Sequence, residues 1–565
     1  MLALIVLFSA LVAVVYYNVV EPLFLNPKSK IPGPKLFALT KWRLALEDFR
    51  GTRTRKIHAL HERYGPIVRI GPKEIHCNSL NALRTIYGAG SGFERTWFYR
   101  MFDVYGKQNL FTFESGKDHS ERKKLVANAY SKSLMLKGPA ARMVQEKVTQ
   151  YLTLLKAQGE QPQEIFSTLH YFSLDAITHF LYGPSHGGTS ALKGNAQHRA
   201  LLDDIVDPTR RYLSWFAVHL PTLTKWMYTR EGLLERVLRP ILPMQKPTTY
   251  TGIRKHALEA FHRFKDAAET KPDILASEPG IVSRLWSSHE SIKGSGPRSL
   301  DSLDIASECA DHLLAGIDTT ADTLMFLIWA LSQPQNSHIQ KRLVEEVRTI
   351  SEDAFEDGMP RLDAIDKLPY LDAVIKETLR LYAPLPASEP RSLPTDCVID
   401  GYKIPARTVV NMSPYSLHRN ADIFDSPLTF NPERWLGPAD KVSLMNRWFW
   451  AFSSGGRMCI GLHLAMAEMT ALTVGIYREY TTSVAPGFEN KTPGITSRFE
   501  VFYDETFPEI AVSQATVFAL EGVRKADWRW HIGTYMHDSI YEGSIVNGQN
   551  IATCNWAAVE WAGFI

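Results

Sequence analysis

No stretch of this chain limits its possible folds more than the one from about Ser302 to Gln333. As one helix, its thirty or so residues would run roughly 48 Å. That is far longer than the average helix of a globular protein. Asp301 and Asp304 favour its N-terminal end through the helix dipole. Its middle, Leu314-Ala-Gly-Ile-Asp-Thr-Thr-Ala321, is poor helix-forming material in an otherwise apolar stretch. Gly316 costs about 1 kcal/mol against Ala, and threonine hydroxyls can bond back to earlier carbonyls and bend a helix. Polar groups midway along a buried helix are a liability unless a site uses them. The plain alternative is a packing glycine beside two satisfied threonines.

The surroundings point the same way. From about 117 to 350 the pattern is mostly helical, and Leu368 to Leu381 forms a further helix on which Glu377 and Arg380 share a face. Strands are short: Tyr64 to Pro72 is bounded by Gly-Pro pairs, and Val398 to Pro405 reads as a hairpin turning at Asp400-Gly401. His289 to Arg298 reads as a polar loop. The expected class is mainly α with small β-sheets (α+β), built as one large helix-rich domain. At 565 residues with 45% hydrophobic and 22% charged residues, the chain can bury a large core. A net charge of +3 is too small for a chain whose main partner is nucleic acid. Cys77, Cys309, Cys397, Cys459 and Cys554 lack any CxxC spacing, which argues against zinc ribbons, iron–sulfur clusters and a disulfide framework.

Leu2 to Val20 carries no charge and would span roughly 28 Å as a helix, close to one bilayer core. Tyr16 and Tyr17 suit the interface. No Lys or Arg precedes the run, whereas Lys28, Lys30 and Lys35 follow it, so the positive-inside rule places the body in the cytosol. A cleaved signal peptide is disfavoured by the uncharged start and the length of the run. On this topology the sequons at Asn411 and Asn490 stay unglycosylated. Ile31-Pro-Gly-Pro34 reads as a stiff hinge. The expected organisation is an anchor over 1–24, a proline-rich hinge over 25–36, a catalytic domain over 37–512, and an atypical tail over 513–565. That tail contains Trp528, Trp530, Trp556 and Trp561 and reads as a poorly ordered extension or a misread exon, with an interaction segment as the alternative.

The chemistry is expected near Ala451-Phe-Ser-Ser-Gly-Gly-Arg-Met-Cys-Ile-Gly-Leu-His-Leu-Ala465. Gly455 and Gly456 let the backbone approach something closely. A helix starting at Gly461 would aim its N–H groups at the Cys459 sulfur. Such surroundings stabilise a thiolate and suit one axial position on haem iron. Phe452-x-x-Gly455-x-Arg457-x-Cys459-x-Gly461 resembles the haem-binding signature of the cytochrome P-450 family. Three further motifs stand in that family's order. Ala315-Gly316-Ile-Asp318-Thr319-Thr320 resembles the oxygen-activating stretch of the long central helix. Glu377-Thr-Leu-Arg380 resembles the Glu-x-x-Arg pair, and Phe430-Asn-Pro-Glu-Arg434-Trp435 the loop whose arginine joins it. The resemblance covers roughly 31 to 512 and is closest to the membrane-bound, fungal-type form.

It implies haem b with Cys459 as the axial thiolate, and Glu377, Arg380 and Arg434 as a structural triad. Asp318 and Thr319 would serve proton delivery on the opposite face, with Gly316 leaving room for dioxygen. Arg457, Arg391, His119 and Lys123 are the candidates for the propionates, the last two standing where the family often has Trp and Arg. Phe452, Gly455 and Gly461 would complete the cofactor cradle. The basic run Arg122 to Lys124 could be a solvated face that docks an acidic reductase. Phe102, Phe111, Leu314, Ala315 and Leu385 are pocket candidates for a small apolar substrate, within an aromatic-rich stretch from Gly92 to Phe113. The implied activity is a monooxygenase of the endoplasmic reticulum membrane in fungal secondary metabolism, receiving electrons from NADPH through a cytochrome reductase. The alternatives are a haem-thiolate isomerase or peroxygenase needing no reductase, and a non-catalytic haem sensor.

Overall fold

A computed structural model of the chain describes residues 1–158, 162–206, 209–229, 232–238, 240–241, 251–271, 280–291, 300–485 and 492–493, together with the strands at 514–520 and 529–536. Among the described residues, these helices matter here: α1 (Leu2–Val15), which is exposed, and α2 (Gly116–Val126), α3 (Pro139–Gln158), α4 (Ile165–Tyr182), α5 (Thr251–Thr270), α6 (Ser302–Ser332), α7 (Pro369–Leu381) and α8 (Leu462–Glu479). The long apolar stretch is α6, at 31 residues. Its start is fixed by a reciprocal capping box. The Asp301 carboxylate accepts from the Asp304 N–H, and the Asp304 carboxylate accepts from the Asp301 N–H. Helices α4, α5, α7 and α8 pack around it. Its apolar side chains Ile305, Leu313, Leu324 and Leu327 are fully buried in the largest core cluster.

The strands are short and peripheral. β1 (Ile67–Gly71), β2 (Glu74–Cys77), β3 (Glu94–Arg95), β4 (Pro162–Glu164), β5 (Arg391–Ser392), β6 (Cys397–Ile399), β7 (Tyr402–Ile404), β8 (Val409–Asn411), β9 (Thr481–Val484), β10 (Gln514–Leu520) and β11 (Arg529–Met536) matter here. One sheet has the order β1-β2-β8-β5-β3, with β8 parallel to β2 and the other pairs antiparallel. A second has the order β9-β11-β10-β4, so part of the 513–565 segment pairs with β9 and β4. The rest of that segment, with Trp528, Trp556 and Trp561, lies outside the described residues. The β6–β7 hairpin turns at Asp400 (φ 48°) and Gly401 (φ 82°), both in the left-handed region that a tight hairpin turn requires.

Leu2–Leu25 is a continuous helical run of 24 residues, long and apolar enough to cross a membrane, with no buried residue. The Ile31–Pro34 segment lies against β1. The Arg69 N–H donates to the Pro32 carbonyl at 2.7 Å, and its Nη1 to that of Pro22 at 2.6 Å. Asn411 of the first sequon is buried, and its amide donates to Glu74 Oε1 and the Ile75 carbonyl. Asn490 falls outside the described residues. The expected loop at His289 needs correction, because the preceding helix runs on through Ser291. The residues from 292 to 299, including Gly294 and Gly296, are outside the described set.

Candidate functional site

The loop before α8 folds back on itself, with the Cys459 N–H donating to the Phe452 carbonyl at 2.9 Å. Gly455 sits at φ 62°, and a Cβ there would collide with the Tyr87 carbonyl, so this position requires glycine. The N–H groups of Gly461 and Leu462, at the start of α8, bond to the Cys459 sulfur. Burial pushes the thiol pKa up, while these N–H groups and Lys123 pull it down. Cys459 nevertheless has an exposed surface. We read a thiol that is both surrounded by protein and accessible as facing an internal hollow.

Glu377 and Arg380 are fully buried on α7. Arg380 grips the carboxylate with both Nε (2.9 Å) and Nη2 (2.8 Å). Arg434 joins it at 3.1 Å, and the Trp435 indole N–H donates to Glu377 Oε2 at 3.0 Å. The remaining Arg380 donors meet the His418, Pro427 and Thr429 carbonyls. Removing one partner from such a pair leaves an uncompensated buried charge. His418 was not singled out from the sequence. Its Nδ1 contacts the Arg380 carbonyl (3.0 Å), and its Nε2 accepts the Trp450 N–H (2.8 Å). Burial and then Arg380 lower its pKa to about 3, so it is a neutral bridge between α7 and the segment entering the cysteine loop.

Above the loop, cations crowd together. Arg457 donates to the Phe113 and Glu114 carbonyls, each at 2.8 Å. Its pKa falls to about 9 through burial and the nearness of Arg95 and Arg391. Arg95 is buried, donates to the Leu110 and Phe111 carbonyls, and falls to about 10 through burial and Arg391. Burial pushes His119 far down, assisted by Arg457, Arg95 and Lys123. Arg391 meets Glu389 at 3.2 Å and the Tyr99 hydroxyl; burial opposes its charge, but Tyr99 and Glu389 raise its pKa. Cations that depress one another favour an anion among them. The two propionates of haem suit this cluster, and the accessible Cys459 thiol suits the axial position. Arg95 belongs with the candidates and was missed, because only tertiary folding brings β3 to Arg391 and Arg457.

Two expectations change. Lys123 Nζ donates to the Gly456 and Met458 carbonyls (3.1 and 3.0 Å), so it fastens the cysteine loop. Arg122 turns inward and pairs with buried Glu308 at 2.7 Å. The basic run is therefore not a solvated face, and Lys124 alone of the three is exposed.

Along α6, the incompletely buried inner residues are Asp311, Leu314, Ala315, Gly316, Asp318 and Thr319. Asp311, Ala315 and Thr319 fall on one face at four-residue spacing. The Thr319 hydroxyl donates to the Ala315 carbonyl at 2.8 Å. Asp318 and Asp322 each lie 3.8 Å from Nε2 of buried His170 on α4. A Cβ on Gly316 would stand 2.5 Å from Ile177 Cγ1, so this glycine serves the close approach of α4. Phe102 and Phe111 stack edge to face at 5.3 Å in the loop above, and Phe452 and Leu385 are partly exposed.

Similarity to known proteins has the same outline. The family model described as Cytochrome P450 matches residues 32–501. The cytochrome P450 monooxygenase stcB of Emericella nidulans is 31% identical over 464 residues, covering 81% of this chain and 82% of that protein. The cytochrome P450 monooxygenase orf2 of Aspergillus niger is 27% identical, covering 84% and 89%. Pisatin demethylase of Fusarium vanettenii is 27% identical, covering 84% and 88%.

Proposed function

As the chain belongs to the cytochrome P450 family, we propose that this oxygenating oxidoreductase inserts one atom of O2 into an apolar organic substrate in fungal secondary metabolism. We place it at the endoplasmic reticulum membrane, anchored by Leu2–Leu25, with electrons from NADPH reaching it through a partner reductase. One observation carries the reading: the accessible Cys459 sulfur lies beneath the N-terminal N–H groups of α8, beside a cluster of cations that depress one another.

Haem, when bound, supplies the oxygen chemistry of the family, with a thiolate ligand that donates electron density to the iron. The chain's own residues perform the supporting tasks. Gly461 and Leu462 hold the sulfur with their N–H groups, and Lys123 pins the loop carbonyls. Arg95, Arg391, Arg457 and neutral His119 would receive the propionates. Glu377, Arg380 and Arg434 fix the segment under the cysteine loop. On α6, Thr319 presents a hydroxyl on the same face as Ala315. Asp318, beside His170, can hold a proton next to it.

The experiment is turnover in microsomes containing the full chain and a fungal NADPH–cytochrome reductase, scored on a library of apolar metabolites. Product should require both NADPH and O2. Thr319→Ala should lower product per NADPH by about 10–100-fold. Product formed with peroxide alone, and unaffected by removal of the reductase, would instead identify a peroxygenase.

A further inference from the structure

Asp311 stands apart from its acidic neighbours in the core. It lies one helical turn before Ala315 on the same face of α6, about 6 Å along the axis. Its neighbours Glu308 and His312 are turned into the protein and are engaged there. Glu308 is fully buried, accepts the Leu110 N–H at 3.0 Å and pairs with Arg122 at 2.7 Å. His312 Nδ1 meets the Tyr130 hydroxyl at 2.8 Å, and its Nε2 lies 3.4 Å from Glu308. These three α6 residues are close enough to suggest a cation site. The Arg122 guanidinium already supplies that charge. Asp311 alone of the three keeps accessible surface, and it shares a face with exposed Ala315 and half-buried Thr319.

The groups around this carboxyl define what it can take. From the loop above comes the Phe111 N–H, from β3 the Arg95 guanidinium, and from α6 itself His312 and Glu308. Burial pushes its pKa up to about 7; Glu308 adds to this, and His312, Arg95 and Phe111 oppose it. A group titrating there can accept a hydrogen bond or donate one. Leu314 and Ala315, both apolar and incompletely buried, lie beside it on α6, and Phe111 approaches it through its backbone. A polar group in such a setting is costly unless it is bonded.

We propose that Asp311 is the polar anchor of the substrate hollow and binds a neutral hydroxyl, phenolic or alcoholic, on an otherwise apolar substrate. This rests on reading the hollow over Cys459 as the substrate site. A neutral partner fits better than an ammonium group, because Arg95, Arg391 and Arg457 already crowd that end of the hollow with positive charge. A hydroxyl matches a carboxyl that both donates and accepts, and it brings no second cation. Glu308 and Arg95 position the 109–111 backbone that roofs the anchor.

The test uses haem-loaded full-length protein and reads the spin-state shift on titration. The probes are 2-naphthol and 9-hydroxyphenanthrene, their methyl ethers, and 2-(2-naphthyl)ethylamine. Each phenol should bind about tenfold tighter than its ether, a gap of the size one buried hydrogen bond gives. Asp311→Leu should erase that gap, and Asp311→Asn should keep part of it. Equal binding of phenol and ether, tighter binding of the ammonium probe, no shift with any probe, or a gap that survives in Asp311→Leu would each overturn the assignment. Should Asp311→Leu not take up haem, the wild-type pairs and Asp311→Asn still decide. The carbon monoxide spectrum of the same sample separates the two levels. A thiolate band with no phenol preference defeats Asp311 alone, whereas its absence defeats the reading of the site.

Discussion

Single side chains carry the strongest consequences. Arg380→Lys keeps a charge but loses the two-pronged grip on Glu377 and two of the carbonyl contacts. It should cost about 3–5 kcal/mol in denaturant unfolding and lower the haem-loaded fraction. A change under 1 kcal/mol would mean that the buried pair is dispensable. Glu468 on α8 gives a pH signature. It is buried, accepts a hydrogen bond from Thr320, and has a pKa raised by burial to about 8. The folded state holds this proton more tightly than the unfolded chain, so its contribution is fully present below about pH 4.3 and is lost as pH rises through about 8. Glu468→Gln should therefore leave stability nearly unchanged at pH 3.5 and raise it by up to about 5 kcal/mol at pH 8.5. A gain of the same size at both pH values would contradict this. The triad and the cysteine loop were legible from sequence because short fixed spacings on one helix or loop encode them. Arg95, Glu308 and His418 were not, since each gains its role from partners far away in the chain.

Between elements, the contact of α4 with α6 gives a packing reason for the glycine at 316. Gly316→Ala gains about 1 kcal/mol of helix propensity but drives a methyl into Ile177. The overpacking should cost about 1–3 kcal/mol. Ile177→Ala in the same chain should recover most of the loss, giving a coupling energy in a double-mutant cycle. Additive effects would show that the two helices do not meet there. The length of α6, its acidic start and the β6–β7 turn could be read in advance, because capping and turn chemistry are local. The inward turn of Arg122 could not. A basic run on a helix looks solvated until Glu308 is placed opposite it.

For the molecule as a whole, the apolar N-terminal helix and the body differ sharply in burial. Leu2–Leu25 has no buried residue, and Arg69 keeps its bonds to the Gly71 and Pro72 carbonyls when Pro22 is removed. Deleting residues 2–24 should move the protein from the membrane to the soluble fraction while leaving its haem content within about twofold of the full chain, read by sedimentation and pyridine haemochrome absorbance. Loss of haem on deletion would make the segment part of the folding core. The class of the fold was legible because long apolar periodicity dominates the chain. The pairing of β10 and β11 with β9 was not, since their non-local register leaves no local mark. One measurement bears hardest on the whole picture: the reduced, carbon monoxide difference spectrum of the wild type beside Cys459→Ala. The wild type should show the red-shifted Soret band of thiolate ligation, and the variant should lack it while remaining folded by circular dichroism. A band that persists in Cys459→Ala, or is missing from haem-loaded wild type, would contradict the assignment of Cys459 as the axial ligand.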